Sequence, residues 1–280
     1  MPKAWHLLLA GCSLGFCALT YADARLAIII DDIGYNQSQS ERAARLQGDF
    51  TLSILPFTPH GLTSAQLAHK RGKELMLHLP MSAINNLPLG NGGLVSGMEK
   101  AVFLKTFQQD MDNIPHIQGV NNHMGSRLTQ ETEPMQWLME ALRPRGLYFV
   151  DSRTSAQTKA FDIAITHQIP SLKRDVFLDD INETAAIELQ LNRALKFARQ
   201  RGSAVAIGHP YPATLGVLER LQGFLDKQQV KLVYVSQLLT SVQTITTPAV
   251  ETAPLETGEL PYCPVPAEPS LFEFHTIIVD

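Results

Sequence analysis

The sequence predicts an α/β fold, a single-domain parallel βα barrel of about eight units. Three observations predict it. Apolar runs without polar alternation recur along the chain, as strands covered on both faces require. Amphipathic stretches separate those runs. Carboxylates and histidines stand just after several of the runs, where βα barrels collect their catalytic groups.

The first run, Leu26-Ala27-Ile28-Ile29-Ile30, contains no polar residue. Comparable runs lie at 51–55, 75–79, 117–121, 147–150, 203–207 and 231–235, with a weaker one between 169 and 178. Helical patterns occupy 41–46, 63–70, 101–111, 134–142, 183–201 and 215–228. An open doubly wound sheet would give the same alternation. No G-x-G-x-x-G follows the first run and no G-x-x-x-x-G-K-[ST] occurs, so nucleotide-binding versions of that fold lose ground. The barrel domain is expected over 25–242. Beyond it, Pro248, Pro254, Pro261, Pro264, Pro266 and Pro269 mark 243–280 as a Pro-rich tail rather than a packed unit.

The composition bounds the function. With 45% hydrophobic and 18% charged residues over 280 positions, the chain is globular and long enough to rest on its own core. A net charge of −4 gives no basic surface for nucleic acid and no charge-driven attraction to anionic lipid. Lys3, an apolar stretch from Leu7 to Leu19 and Ala22-Asp23-Ala24 read as a cleaved export signal over 1–24. The expected location is therefore the periplasm, with no membrane span in the mature chain. A retained N-terminal anchor, or a lipid anchor at Cys12, are the alternatives. Cys12 and Cys17 fall inside the signal, which leaves Cys263 alone and excludes an intramolecular disulfide or a cysteine-rich zinc site.

The residues after the runs carry the chemistry. In order they are Asp31-Asp32, His78, Asn121-Asn122-His123, Asp151 with Arg153, Asp175 and His209. Adjacent carboxylates at the end of a buried strand repel each other and are partly desolvated, a cost that a metal offsets. An N-cap for the next helix is the plain structural alternative for either one. His78 and His123 with one aspartate form a two-histidine, one-carboxylate set that suits zinc or a similar divalent ion and leaves positions open for water and substrate. His209, held between Gly208 and Pro210, can donate a proton to a leaving group, with Asp175 or Asp151 to orient it. A solvent-facing turn histidine is the alternative there. Phe57, Tyr148 and Tyr211 lie near strand ends, where they could stack on sugar rings or simply pack.

Taken as an ordered set, Ile30-Asp31-Asp32-Ile33-Gly34, His78-Leu79-Pro80-Met81, Gly119-Val120-Asn121-Asn122-His123-Met124-Gly125-Ser126, Asp151-Ser152-Arg153-Thr154 and Gly208-His209-Pro210 resemble the divergent polysaccharide deacetylase family. The resemblance runs from about Leu26 to Leu239. It implies a distorted (β/α)7-8 barrel of the polysaccharide deacetylase type and removal of N-acetyl groups from a peptidoglycan-type or other polysaccharide. It also implies roles: Asp31 as general base, Asp32 as metal ligand and His209 as general acid. Asp175 and Arg153, from the residues after the runs, are the further candidates for the catalytic set. The better-known deacetylases carry two metal histidines about one helical turn apart. Here Arg127 stands four residues after His123, and His78 from another strand is the expected substitute ligand. The expected partners are an N-acetylated glycan and a protein of the cell envelope. A metal hydrolase of another amide or ester, and a barrel that binds glycan or partner without turnover, are the competing readings.

Overall fold

The structure, a computed structural model, describes residues 24–239. The expected tail over 243–280, and all of the expected export signal but Ala24, lie outside the described residues. In chain order the elements are β1 (Ala24–Ile33), α1 (Gln37–Ala44), β2 (Thr51–Ile54), α2 (Gly61–Lys70), β3 (Glu74–Met81), α3 (Lys100–Asn113), β4 (Ile117–Met124), α4 (Thr132–Leu142), β5 (Tyr148–Asp151), α5 (Ala160–Thr166), β6 (Ser171–Lys173), β7 (Val176–Phe177), α6 (Thr184–Arg201), β8 (Ser203–Gly208), α7 (Pro212–Leu218), α8 (Leu221–Gln228) and β9 (Val230–Leu232).

The strands form one parallel sheet in the order β6-β5-β4-β3-β2-β1-β8-β7, with β9 on the amino end of β1. This order decides between the two folds that alternation allows. A doubly wound sheet reverses direction at a switch point. Here the strands follow in sequence and β1 sits between β2 and β8, so the sheet curls round on itself as a barrel with a seam between β6 and β7. The weak run at 169–178 explains the seam. Its first half pairs with β5 and its second half with β8, and the chain bends at Arg174-Asp175 between them.

Alternation along each strand sorts the side chains into two cores. Leu26, Ile28 and Ile30 of β1, Leu75, Leu77 and Leu79 of β3, and Phe149 of β5 face the surrounding helices and are buried there. Ala27 and Ile29 of β1, Met76 of β3, Tyr148 and Val150 of β5, and Val205 and Ile207 of β8 fill the barrel interior. Continuing each inward row toward the carboxyl ends brings Asp31, His78, Asn121, His123 and His209 to one mouth of the barrel.

The opposite mouth is plugged. After β9 the chain crosses beneath the barrel, where Val235, Leu238 and Leu239 join the interior core. Glu74 anchors this plug: it accepts hydrogen bonds from Thr51 (2.8 Å), Tyr148 (2.9 Å) and the Ser236 amide (3.4 Å). The run expected as an eighth strand at 231–235 is thus a short strand that turns into a stopper. The helix expected over 215–228 is two helices, α7 and α8, separated at Glu219-Arg220.

Candidate active site

Asp31 continues the inward row of β1 and is 3% exposed. By the same alternation Asp32 would face the helices. Its backbone instead adopts φ 57°, and the β1–β2 register shifts between Ile30 and Ile33. That bulge turns Asp32 into the mouth. Aspartate tolerates the left-handed region better than most residues, at a cost on the order of 1 kcal/mol.

Three donor atoms converge from β1, β3 and β4. His78 Nε2 lies 3.1 Å and His123 Nδ1 2.9 Å from Asp32 Oδ1, and the two ring nitrogens are 3.1 Å apart. Asn121 fixes the orientation of His78: its Oδ1 lies 2.7 Å from His78 Nδ1 and also accepts from Ser53 Oγ at 2.6 Å. Asn121 Nδ2 donates to Asp31 Oδ1 at 2.8 Å. A proton held on His78 Nδ1 leaves Nε2 as the coordinating atom, the usual arrangement behind a metal-bound histidine. Asp32 Oδ1 is buried with no hydrogen-bond partner of full geometry, the mark of an atom shaped for a ligand. One carboxylate and two imidazoles, with room left open, suit zinc or a similar divalent ion, and Asp32, His78 and His123 would hold it.

The electrostatics agree with that donor set. Despite its burial, the close His123 and His78 rings hold the Asp32 carboxyl well below the usual carboxylate range. Burial raises the pKa of Asp31, and the nearby His78 and His209 only partly offset it. Burial disfavours the charged form of His78, yet Asp31 and Asp32 raise its pKa on balance. A cation and a proton therefore compete for the same pocket.

His209 approaches from the other side, with Nε2 3.8 Å from Asp32 Oδ2. Its Nδ1 lies 2.9 Å from Asp179 Oδ1, and its backbone amide donates to Asp179 Oδ2 at 2.6 Å. Thr214 Oγ1 donates to the same oxygen at 2.6 Å. Burial opposes charge on the ring, but the hydrogen bond and charge of Asp179 push the His209 pKa up to about 9. Phe177 meets the ring edge-on and Tyr211 stacks on it, with centroids 5.3 and 5.4 Å away.

The structure does not bring every expected residue here. Asp175, expected to orient His209, accepts from Arg201 Nη1 (3.1 Å) and the Val205 amide (2.9 Å) at the bend before β7. Asp179, two residues past the inward Phe177, takes the orienting role. Asp151 lies on the outward row of β5 and caps the following loop, accepting from the Arg153 amide, Thr158 Oγ1 and the Phe161 amide. Arg153, expected in the catalytic set, has an exposed side chain, and its carbonyl accepts from Arg174 Nη2. Tyr148 is at the plugged base and cannot meet a sugar, whereas Phe57 and Tyr211 are partly exposed. Arg174, which the sequence reading passed over, bonds the Ser152 carbonyl at 2.7 Å and lies over Phe177.

Residues 28–239 match the family model described as divergent polysaccharide deacetylase. The chain is 38% identical over 219 residues to the uncharacterized protein YibQ of Escherichia coli (strain K12), covering 78% of this chain and 68% of that one. It is 35% identical over 204 residues to an uncharacterized protein of Haemophilus influenzae, covering 73% of each. Among solved structures, the uncharacterized protein ATU2773 of Agrobacterium tumefaciens C58 is similar at 26% identity with a TM-score of 0.74, over 78% of this chain and 90% of that one. On these grounds, with a match that spans nearly all the described residues, the chain belongs to the divergent polysaccharide deacetylase family.

Proposed function

We propose that this chain is a metal-dependent hydrolase of the bacterial envelope that removes N-acetyl groups from a glycan, acting in the periplasm after export. The observation that carries the reading is the convergence of Asp32 Oδ1, His78 Nε2 and His123 Nδ1, flanked by buried Asp31 and by His209. A bound divalent ion, zinc in this reading, would polarise the acetyl carbonyl and acidify a water.

The chain's own residues divide the proton work. Asn121 engages Asp31 Oδ1, so Oδ2, 3.7 Å from His78 Nε2, faces the trio and takes the proton of the attacking water. His209, kept cationic at neutral pH by Asp179, gives its Nε2 proton to the departing amine of the amino sugar. Asp179 and Thr214 hold the ring in place. Acetate and a free amine leave.

The test is metal content together with acetate release. The purified chain, prepared without chelator, is expected to hold stoichiometric metal and to release acetate from N-acetylglucosamine polymers. His78→Ala and His123→Ala are expected to lose both. Asp31→Asn and His209→Ala are expected to keep the metal and lose turnover by roughly 10²–10⁴-fold. A wild-type chain that holds no metal sinks the hydrolase reading and leaves a glycan- or partner-binding barrel.

A further inference from the structure

Beside the metal trio lies a groove that the chemistry above does not use. The connection from β3 to α3 runs as a strap over 82–99, pinned to the strand ends. Leu94 donates to the Pro80 carbonyl at 2.8 Å, Ser82 to the Leu94 carbonyl at 2.9 Å, and Ser96 to Ser82 Oγ at 3.1 Å. On its far side the Ile84 amide donates to Ser126 Oγ at 3.0 Å. Between strap and barrel this leaves a groove of about 370 Å³ lined by Ser82, Asn86, Leu87, Val95, Ser96 and Arg127.

Arg127 is the only cationic side chain among those lining residues. Its backbone is fixed, since its amide donates to the Ser82 carbonyl at 3.1 Å. Its guanidinium makes one long hydrogen bond, 3.4 Å to the Ile84 carbonyl, and pairs with no carboxylate among the described residues. By contrast Arg42, Arg45, Arg201 and Arg220 all sit in ion pairs. A planar cation with several unused donors is suited to bind a carboxylate in two-pronged fashion. Leu87 and Val95, 53% and 43% exposed, give the groove the apolar wall that a sugar ring's C–H face needs. Arg127 stands four residues from the ligand His123, so their Cα atoms lie no more than about 14 Å apart. A sugar adjoining the reacting one falls within that span.

We infer that this groove is a subsite for a carboxylate-bearing sugar, with Arg127 binding the carboxylate, so that the glycan class is acidic. The inference deepens the glycan reading of the metal centre and rests on it. Binding and turnover are therefore measured separately. The full chain is titrated calorimetrically with the N-acetylglucosamine–N-acetylmuramic acid disaccharide, with its methyl ester, and with a glucuronate–N-acetylglucosamine disaccharide. At least one acid is expected to bind tenfold or more tighter than the neutral ester, and which acid does so tells where the carboxylate sits. Arg127→Ala is expected to erase that preference and Arg127→Lys to keep part of it, with thermal unfolding unchanged in both. Equal affinity for acids and ester, no binding of any sugar, or a preference intact in Arg127→Ala overturns the inference. Acetate release is followed on the same sugars: its absence beside an intact acid preference sinks the deacetylase reading and leaves the subsite standing.

Discussion

Two fully buried carboxylates meet burial differently. Asp31 receives a hydrogen bond from Asn121 and faces two histidines. Asp110 on α3 has neither: both of its oxygens are buried without a partner, and burial alone pushes its pKa up to about 8. Gly92, at φ +79°, lies so close that a Cβ there would come within 2.1 Å of Asp110 Oδ1. An acid whose folded pKa lies above its ordinary value of 3.8 is fully tolerated below that value, and stability falls as pH rises from there toward 8. Asp110→Asn removes the ionisation and keeps the shape. The variant is expected to be more stable than wild type at pH 7 by on the order of 4 kcal/mol, and about as stable near pH 4. Urea unfolding at the two pH values checks it; a gap that does not grow with pH refutes the assignment. Asp179 makes the opposite case, a carboxylate with three donors on it. Asp179→Asn is expected to retain bound metal and lose turnover by roughly tenfold or more, because second-sphere partners of this kind position the groups they touch. Unchanged kcat would remove Asp179 from the mechanism.

At the scale of elements, strand period explains both what the sequence disclosed and what it hid. The inward row of β3 could be followed from Met76 to His78, and that of β8 from Val205 and Ile207 to His209, because the alternation holds along both up to the site. Asp32 and Asp179 could not be placed that way. A bulge re-aims the first, and the second lies beyond a strand whose halves belong to different neighbours. The same bend misplaced Asp175, which simple counting sets at a strand end. Register has a steric consequence at Gly119, paired with Tyr148 across β4 and β5. A Cβ on Gly119 would stand 2.2 Å from the Tyr148 ring, which is held by its bond to Glu74. Gly119→Ala is expected to cost roughly 1–3 kcal/mol, read as a lower urea midpoint, since the packed interior cannot yield at that point. An unchanged midpoint would mean that the ring moves freely.

At the scale of the molecule, the barrel rests on contacts far apart in sequence, and this is why alternation alone left two folds open. The pairing of β1 with β8 and the plug at Glu74 join the two ends of the described chain. The metal set has the same long-range character. Asp32, His78 and His123 come from three strands, each followed by its own helix or loop, and no short motif links them. An ion held there would cross-link β1, β3 and β4 in the folded state, and the unfolded chain offers no such set. Mass action then ties occupancy to stability. Zinc at a hundred times its dissociation constant is expected to add about 2.7 kcal/mol. For a domain of this size that is a rise of roughly 5–10 °C in Tm. Chelator is expected to reverse the rise, and Asp32→Asn to abolish it while leaving the metal-free Tm within a few degrees, because Asp32 contributes no packing to either core. Thermal scans with and without zinc, on wild type and variant, make the check. A rise that survives in Asp32→Asn would place the zinc somewhere other than the mouth of the barrel.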